Sequence, residues 1–257
     1  MPPRRRPPLA AGVLLAVFPV LAGCSDDGAQ RSPGDAVTAE EAEVLAGLLA
    51  RNGDEGGADF VVTAPFGDDA LLTLTGEVDY ADAVGRAQAV ITRGDGSPDV
   101  RTVFFTADEL WFGDVPGLGE ALTAAGLPPA GYVRRPVAAV EGGASPPLTD
   151  VLVALVLNLS AEDEDDPGAF RTGDYTWEGQ RSIDGNLSTA FESPAGWTVA
   201  VDSSTDLLLQ YVTELPGQES PVTVSLTAHG PREIAPPMAE ETVDGAAHSE
   251  LLAAVGL

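Results

Sequence analysis

From about residue 70 onward, the apolar positions of this chain fall on alternate residues. In "LLTLTGEVDY", Leu72, Leu74, Val78 and Tyr80 share one face, while Thr73, Thr75, Glu77 and Asp79 share the other. "GWTVAVD" puts Trp197, Val199 and Val201 together, and "VTVSLTA" does the same for Val222, Val224 and Leu226. "LSTAFE" and "LLLQYVTE" continue the pattern. A period of two is that of a strand with one buried face. Turn sequences separate these runs: Gly67-Asp68-Asp69, Gly94-Asp95-Gly96, Ser193-Pro194-Ala195-Gly196, and Asp202 to Asp206. Connections this short predict antiparallel neighbours.

Three segments depart from that rhythm. Thr38-Ala39-Glu40-Glu41 matches a capping box, with Thr38 as N-cap and Glu41 reaching back. Val44, Leu45, Leu48 and Leu49 supply the apolar stripe of the helix that follows, which is expected to end near Asn52-Gly53. "GLGEALTAAGL", Gly117 to Leu127, predicts a weaker helix. "PLTDVLVALVLNLSAED" predicts a stronger one, apolar almost all round, with only Asp150, Ala154 and Asn158 forming a narrow, less apolar stripe. Leu148, Leu152, Leu155, Val156 and Leu159 are expected on the opposite face. The helix is too short to span a bilayer and needs burial on most of its circumference. Two readings follow: a helix packed into a filled core, or one whose face helps to line a lipid-accepting cavity. On the second reading the wall is Leu72, Leu74, Val78, Trp197, Val199 and Leu226 from strands, with Leu152, Leu155, Val156 and Leu159 from the helix.

The N-terminal residues have a different pattern. Arg4, Arg5 and Arg6 precede the short apolar run from Leu9 to Val20, and small residues lead to Cys24. This is the layout of an export signal. Leu21-Ala22-Gly23-Cys24 resembles the lipobox of bacterial lipoproteins, in which the cysteine receives a diacylglycerol and the signal, here residues 1–23, is cut before it. The competing reading is an ordinary signal with an incidental cysteine near the cut. Cys24 is the single cysteine of the 257 residues, so no intrachain disulfide can form. Residues 24–37 are polar and read as a tether of about 20 Å root-mean-square span.

Charge narrows the partners. The formal net charge is −27, and removal of residues 1–23 takes away three of thirteen basic residues and none of forty acidic ones, leaving −30. Such a surface repels nucleic acid and gains nothing from anionic lipid headgroups. Every basic residue is arginine. Enzyme chemistry finds no foothold. Gly-x-Ser-x-Gly, His-Glu-x-x-His, a P-loop and Cys-x-x-Cys are all absent from the sequence. His229 and His248 have no nucleophile or metal partner at a telling spacing. The run from Glu162 to Asp166 lacks the spaced ligands and central glycine of an EF-hand loop, and reads as a solvated loop. Arg134-Arg135, beside Tyr132, could meet a phosphorylated headgroup, although adjacent strand residues point to opposite faces. The reading is non-enzymatic, with no cofactor and no metal.

Several phrases together resemble the actinobacterial lipoproteins of the LppX/LprG type, relatives of the LolA/LolB lipoprotein carriers. They are "DELWFGDV" (Asp108 to Val115), the apolar helix before an acidic loop, "TWEGQRSIDGNLSTAF" (Thr176 to Phe191), "WTVAVDSSTDLLLQYVTE" (Trp197 to Glu214) and "AHGPREIAPP" (Ala228 to Pro237). The resemblance covers residues 38–237 and leaves 238–257 as a C-terminal tail, either loose or helical from His248 to Val255. It implies an α+β fold: a strongly curved antiparallel sheet, like half a barrel, with helices over its concave face. It also implies a protein anchored at the outer face of the cytoplasmic membrane, carrying lipids, glycolipids or lipidated molecules. A filled-core envelope module that binds a protein partner is the alternative.

Overall fold

The structure is a computed structural model that describes residues 31–67, 69–94, 98–138, 146–216 and 220–257. Cys24, the expected signal and most of the expected tether lie outside the described residues, as do Asp68, Asp95 and Gly96 of two expected turns. Ser32–Leu257 forms one compact unit.

The fold is mixed α+β. Thirteen strands form one sheet: β1 (Asp35–Ala36), β2 (Gly57–Phe66), β3 (Ala70–Asp79), β4 (Val84–Arg93), β5 (Asp99–Thr106), β6 (Glu109–Gly113), β7 (Tyr132–Pro136), β8 (Thr176–Ile183), β9 (Asn186–Glu192), β10 (Thr198–Asp202), β11 (Leu208–Thr213), β12 (Val222–Thr227) and β13 (Thr242–Asp244). Their spatial order is β1-β8-β9-β10-β11-β12-β2-β3-β4-β5-β6-β7-β13, so the sheet is open, with β1 and β13 at its ends. Two meanders, β2 to β7 and β8 to β12, are joined where β12 pairs with β2. Every pairing is antiparallel except β13 on β7.

Register puts the inward residues side by side. Val62 faces Leu74, Leu72 faces Ile91, and Leu226 faces Phe60. The alternation holds in β3, where Leu72, Leu74 and Val78 are buried and Leu71 and Thr75 are exposed. Gly85 is required opposite Phe105, because a Cβ there would run into the phenyl ring. That ring in turn packs edge-on against Phe60, centroid to centroid 6.1 Å.

Six helices accompany the sheet among the described residues: α1 (Ala39–Ala46), α2 (Leu48–Glu55), α3 (Leu118–Ala124), α4 (Leu148–Leu157), α5 (Pro167–Thr172) and α6 (Ser249–Val255). The capping box forms: the Glu41 N–H donates to Thr38 Oγ1 (3.2 Å) and the Thr38 N–H to Glu41 Oε2 (2.8 Å). The helix expected to run unbroken to Asn52-Gly53 is instead two, divided at Gly47. The Arg51 guanidinium crosses this point to donate to the Val44 carbonyl, occupying space that a Cβ on residue 47 would need. Gly56, left-handed at φ 85°, closes α2.

Leu45 and Leu48, with Leu152, Val153 and Val156 of α4, belong to the same buried cluster as the inward strand residues. The expected tail is part of this unit too. Residues 242–244 extend the sheet at β7, and Leu251 and Val255 of α6 are buried in the core. At the other end, β1 and the Thr38 cap bring the close of the expected tether into the fold.

Candidate binding site: two apolar cavities at the ends of helix α4

Helix α4 is anchored by an acid that its polar stripe is expected to expose. Asp150 is 2% exposed. Arg135 on β7 donates to it twice, Nη1 to Oδ2 at 2.8 Å and Nη2 to Oδ1 at 2.6 Å, and the Ala138 N–H donates to Oδ2 at 2.7 Å. The paired guanidinium also lies over the Phe112 ring, 5.2 Å from its centroid. A carboxylate can enter the core here because a fixed fork and a backbone donor meet both its oxygens. This corrects the expected phasing of α4. Asn158 is exposed as expected, but Asp150 faces inward beside Leu152 and Val153.

A cavity of about 330 Å³ lies at the C-terminal end of α4. Leu155 and Leu159 meet there with Leu45, Leu48 and Leu49 of α1 and α2, and with Val199 and Leu208 from the sheet. Phe170, Tyr175, Trp197 and Tyr211 complete the wall as a continuous series of rings, with centroids 4.9, 5.7 and 5.9 Å apart in that order. Its one charged lining residue is Asp165. Burial and the Asp165 charge both hold the Tyr175 hydroxyl above its usual range. Asp165 belongs to the acidic run, whose last member, Asp166, caps α5 by accepting from the Gly168 N–H at 2.8 Å.

A second cavity, about 370 Å³, lies at the N-terminal end of α4. Leu148 and Thr149 form one side, with Leu72, Ile91, Val103 and Phe112 of the sheet and the chain at Gly256 and Leu257 around them. Arg93, Arg101, Arg135 and Asp99 also line it. Both volumes fall at the small end of the range for ligand pockets.

The ten residues expected to form one wall therefore separate. Leu155, Leu159, Trp197 and Val199 line the aromatic cavity, and Leu72 lines the other. Leu74, Val78, Leu152, Val156 and Leu226 line neither of these two; each is at most 1% exposed in the packed core. They belong to the buried cluster that the inward strand residues share with α4. The expected pairing of Arg134-Arg135 with a headgroup also meets a structural reason against it. Arg134 pairs with Glu109 at 3.1 Å and Asp244 at 3.2 Å, while Arg135 is held by Asp150. Sequence reasoning missed Phe170, Tyr175 and Tyr211, which carry no motif and come from three separate segments. It also missed Arg93 and Arg101. Their signal was two arginines flanking one hairpin turn at the ends of apolar strands.

Among the described residues no three His, Cys, Asp or Glu side chains gather as a metal site would require, and no helix is long and apolar enough to cross a membrane. His229 lies at the end of β12, its Nε2 buried and without a hydrogen-bond partner. No protein-family model matches the chain, and no curated protein sequence matches it.

Proposed function

We propose that this chain is an extracytoplasmic lipoprotein, anchored to the cell membrane by acyl chains on Cys24, that binds or carries amphiphiles by enclosing an acyl chain. The aromatic cavity at the C-terminal end of α4 carries this reading. Four rings and seven aliphatic side chains face an unfilled space of about 330 Å³ whose one lining charge is a single acid. Rings with a polar tip suit the boundary between a buried chain and a wet headgroup. On this reading the protein is of the LppX/LprG type, and the sheet is a half-barrel with the helices over its concave face. An open sheet of thirteen strands exceeds the roughly ten beyond which twisted sheets usually curl. The helices' buried residues share one core with the sheet's inward face, which is where a cover would lie.

Binding is passive and needs no catalytic group. Each methylene withdrawn from water contributes about 0.8 kcal/mol, so one chain of ordinary length gives useful affinity. Release requires movement of the cover or a receiving partner in the envelope. The alternative, an interaction module with a filled core, draws on Leu74, Val78, Leu152, Val156 and Leu226, each at most 1% exposed and part of one buried cluster. Replacing half-buried Leu155 with Trp separates the two readings. If the cavity holds ligand, the indole fills it, bound amphiphile falls severalfold, and most stability survives. If the wall is simply core, the change overpacks it at a cost of about 1–3 kcal/mol and amphiphile binding does not respond.

A further inference from the structure

Arginine is scarce in this chain: ten remain after residue 24, against forty acids. Three of the ten line the cavity at the N-terminal end of α4, whereas the aromatic cavity has no cation. Two of the three are already neutralised. Arg135 is held by Asp150 at 2.6 Å, and Arg101 lies 3.2 Å from Asp99. Arg93 ends β4, opposite Ala70, and is exposed, and among the described residues its guanidinium has neither an ion-pair nor a hydrogen-bond partner. Of the charged side chains in this cluster, the Arg93 guanidinium alone is unpaired, within a domain of strong negative charge. An acid-rich surface has many carboxylates available to pair an arginine, so a free guanidinium beside apolar space is an arrangement that suits an anionic ligand.

We propose that this second cavity takes a single-chain amphiphile with an anionic headgroup. The chain lies against Leu72, Ile91, Phe112 and Leu148, and the headgroup carboxylate or phosphate accepts hydrogen bonds from Arg93. A guanidinium fork matches both anions, and its strength here comes from pairing next to a low-dielectric wall. The volume of about 370 Å³ admits one chain rather than several. The repulsive field of the remaining surface confines anion binding to this one point and makes it salt-sensitive. The site does not depend on whether the aromatic cavity is occupied.

The test is equilibrium dialysis of the full mature protein against radiolabelled dodecanoate and, separately, dodecyltrimethylammonium. Dodecanoate is expected to bind at least tenfold more tightly than the cation. Arg93→Gln, at an exposed position where folding is not at risk, removes that preference, with dodecanoate weakened about tenfold. Ile91→Trp, checked for folding by its urea midpoint, blocks the dodecanoate site. Inorganic phosphate competes only at far higher concentration, because it leaves the apolar wall uncovered. Equal affinity for the two amphiphiles, or an anion preference that survives Arg93→Gln, overturns the proposal. Phosphate binding as tightly as dodecanoate overturns it as well, since the site would then recognise a free anion. The aromatic cavity, lined by Asp165 as its only charge, cannot generate an anion preference. Failure here therefore leaves the reading of that cavity intact, and failure of that reading leaves this one.

Discussion

Removing the carboxylate of Asp150 should destabilise the protein more than any surface change. Its side chain is 1% exposed, and that of Arg135 is 13% exposed. Asp150→Ala strips the guanidinium of both short hydrogen bonds and leaves the Ala138 N–H without its acceptor. Breaking a buried pair from one side costs about 3–5 kcal/mol. The lower end, about 3 kcal/mol, is expected here, because Arg135 keeps some access to water and its contact with Phe112. Asp150→Asn retains an acceptor for Ala138 and should cost less, roughly 1–2 kcal/mol, the difference between charge-assisted and neutral hydrogen bonds. The apolar double replacement Arg135→Met with Asp150→Leu should recover most of the loss, since no orphaned charge remains, and stay below the parent by about 1 kcal/mol for the Ala138 N–H left without its acceptor. Urea unfolding of these proteins, together with the single variants Arg135→Met and Asp150→Leu that complete the cycle, gives the midpoints, and an unchanged m-value licenses their comparison as stability. Asp150→Ala within about 0.5 kcal/mol of the parent, or a double-mutant cycle without coupling, would show that this pair does not anchor α4.

Burial holds the His229 imidazole below its usual pKa, outweighing the favourable influences of the Leu208 carbonyl, Glu55 and Asp202; the Arg232 charge acts in the same direction as burial. A base whose folded pKa is depressed is neutral in the fold and takes up a proton on unfolding. Stability should therefore fall as pH drops below about 6.5, and His229→Gln should remove that slope in urea midpoints measured between pH 7.5 and 5. Asp202, whose pKa is lowered mainly by hydrogen bonds from Ser204, acts in a separate window: its contribution is complete above about pH 4 and is lost below it. Cys24→Ala should abolish incorporation of labelled fatty acid in cells and leave the protein unprocessed or shed; full labelling of that variant would refute the anchor. The mature protein should give no gel shift with DNA or RNA at moderate salt, and a shift that weakens as salt rises would contradict the reading of its charge.

Local chemistry is the part of this fold that is legible in the sequence. The Thr38–Glu41 capping box and the inward face of β3 are both readable because each depends on residues a few positions apart. The union of β2 with β12 is not, since backbone pairing across about 160 residues leaves no periodic trace. The same holds for β13, where a polar segment joins β7 through main-chain hydrogen bonds that do not depend on side-chain hydropathy. Asp150 defeats the amphipathic pattern because its partners, Arg135 and Ala138, lie beyond its own helix. The break at Gly47 depends on where the Arg51 side chain goes, which helix propensity does not report. The cavities are the least legible feature. A void exists where side chains from distant elements fail to meet, and the hydropathy of any one element carries no record of it.

The central claim is that the protein holds an amphiphile without bonding to it, and the most direct measurement is a mass difference. The mature chain, purified from its own membrane in a gentle detergent, is weighed intact under native conditions and again after denaturation. Denaturation would keep any acyl groups bonded to Cys24 and release whatever the cavities contain. The account predicts a native mass that exceeds the denatured mass by one or two lipids, recoverable by solvent extraction, with occupancy reduced severalfold in Leu155→Trp. Equal native and denatured masses in the parent protein, with nothing but detergent in the extract, would contradict it.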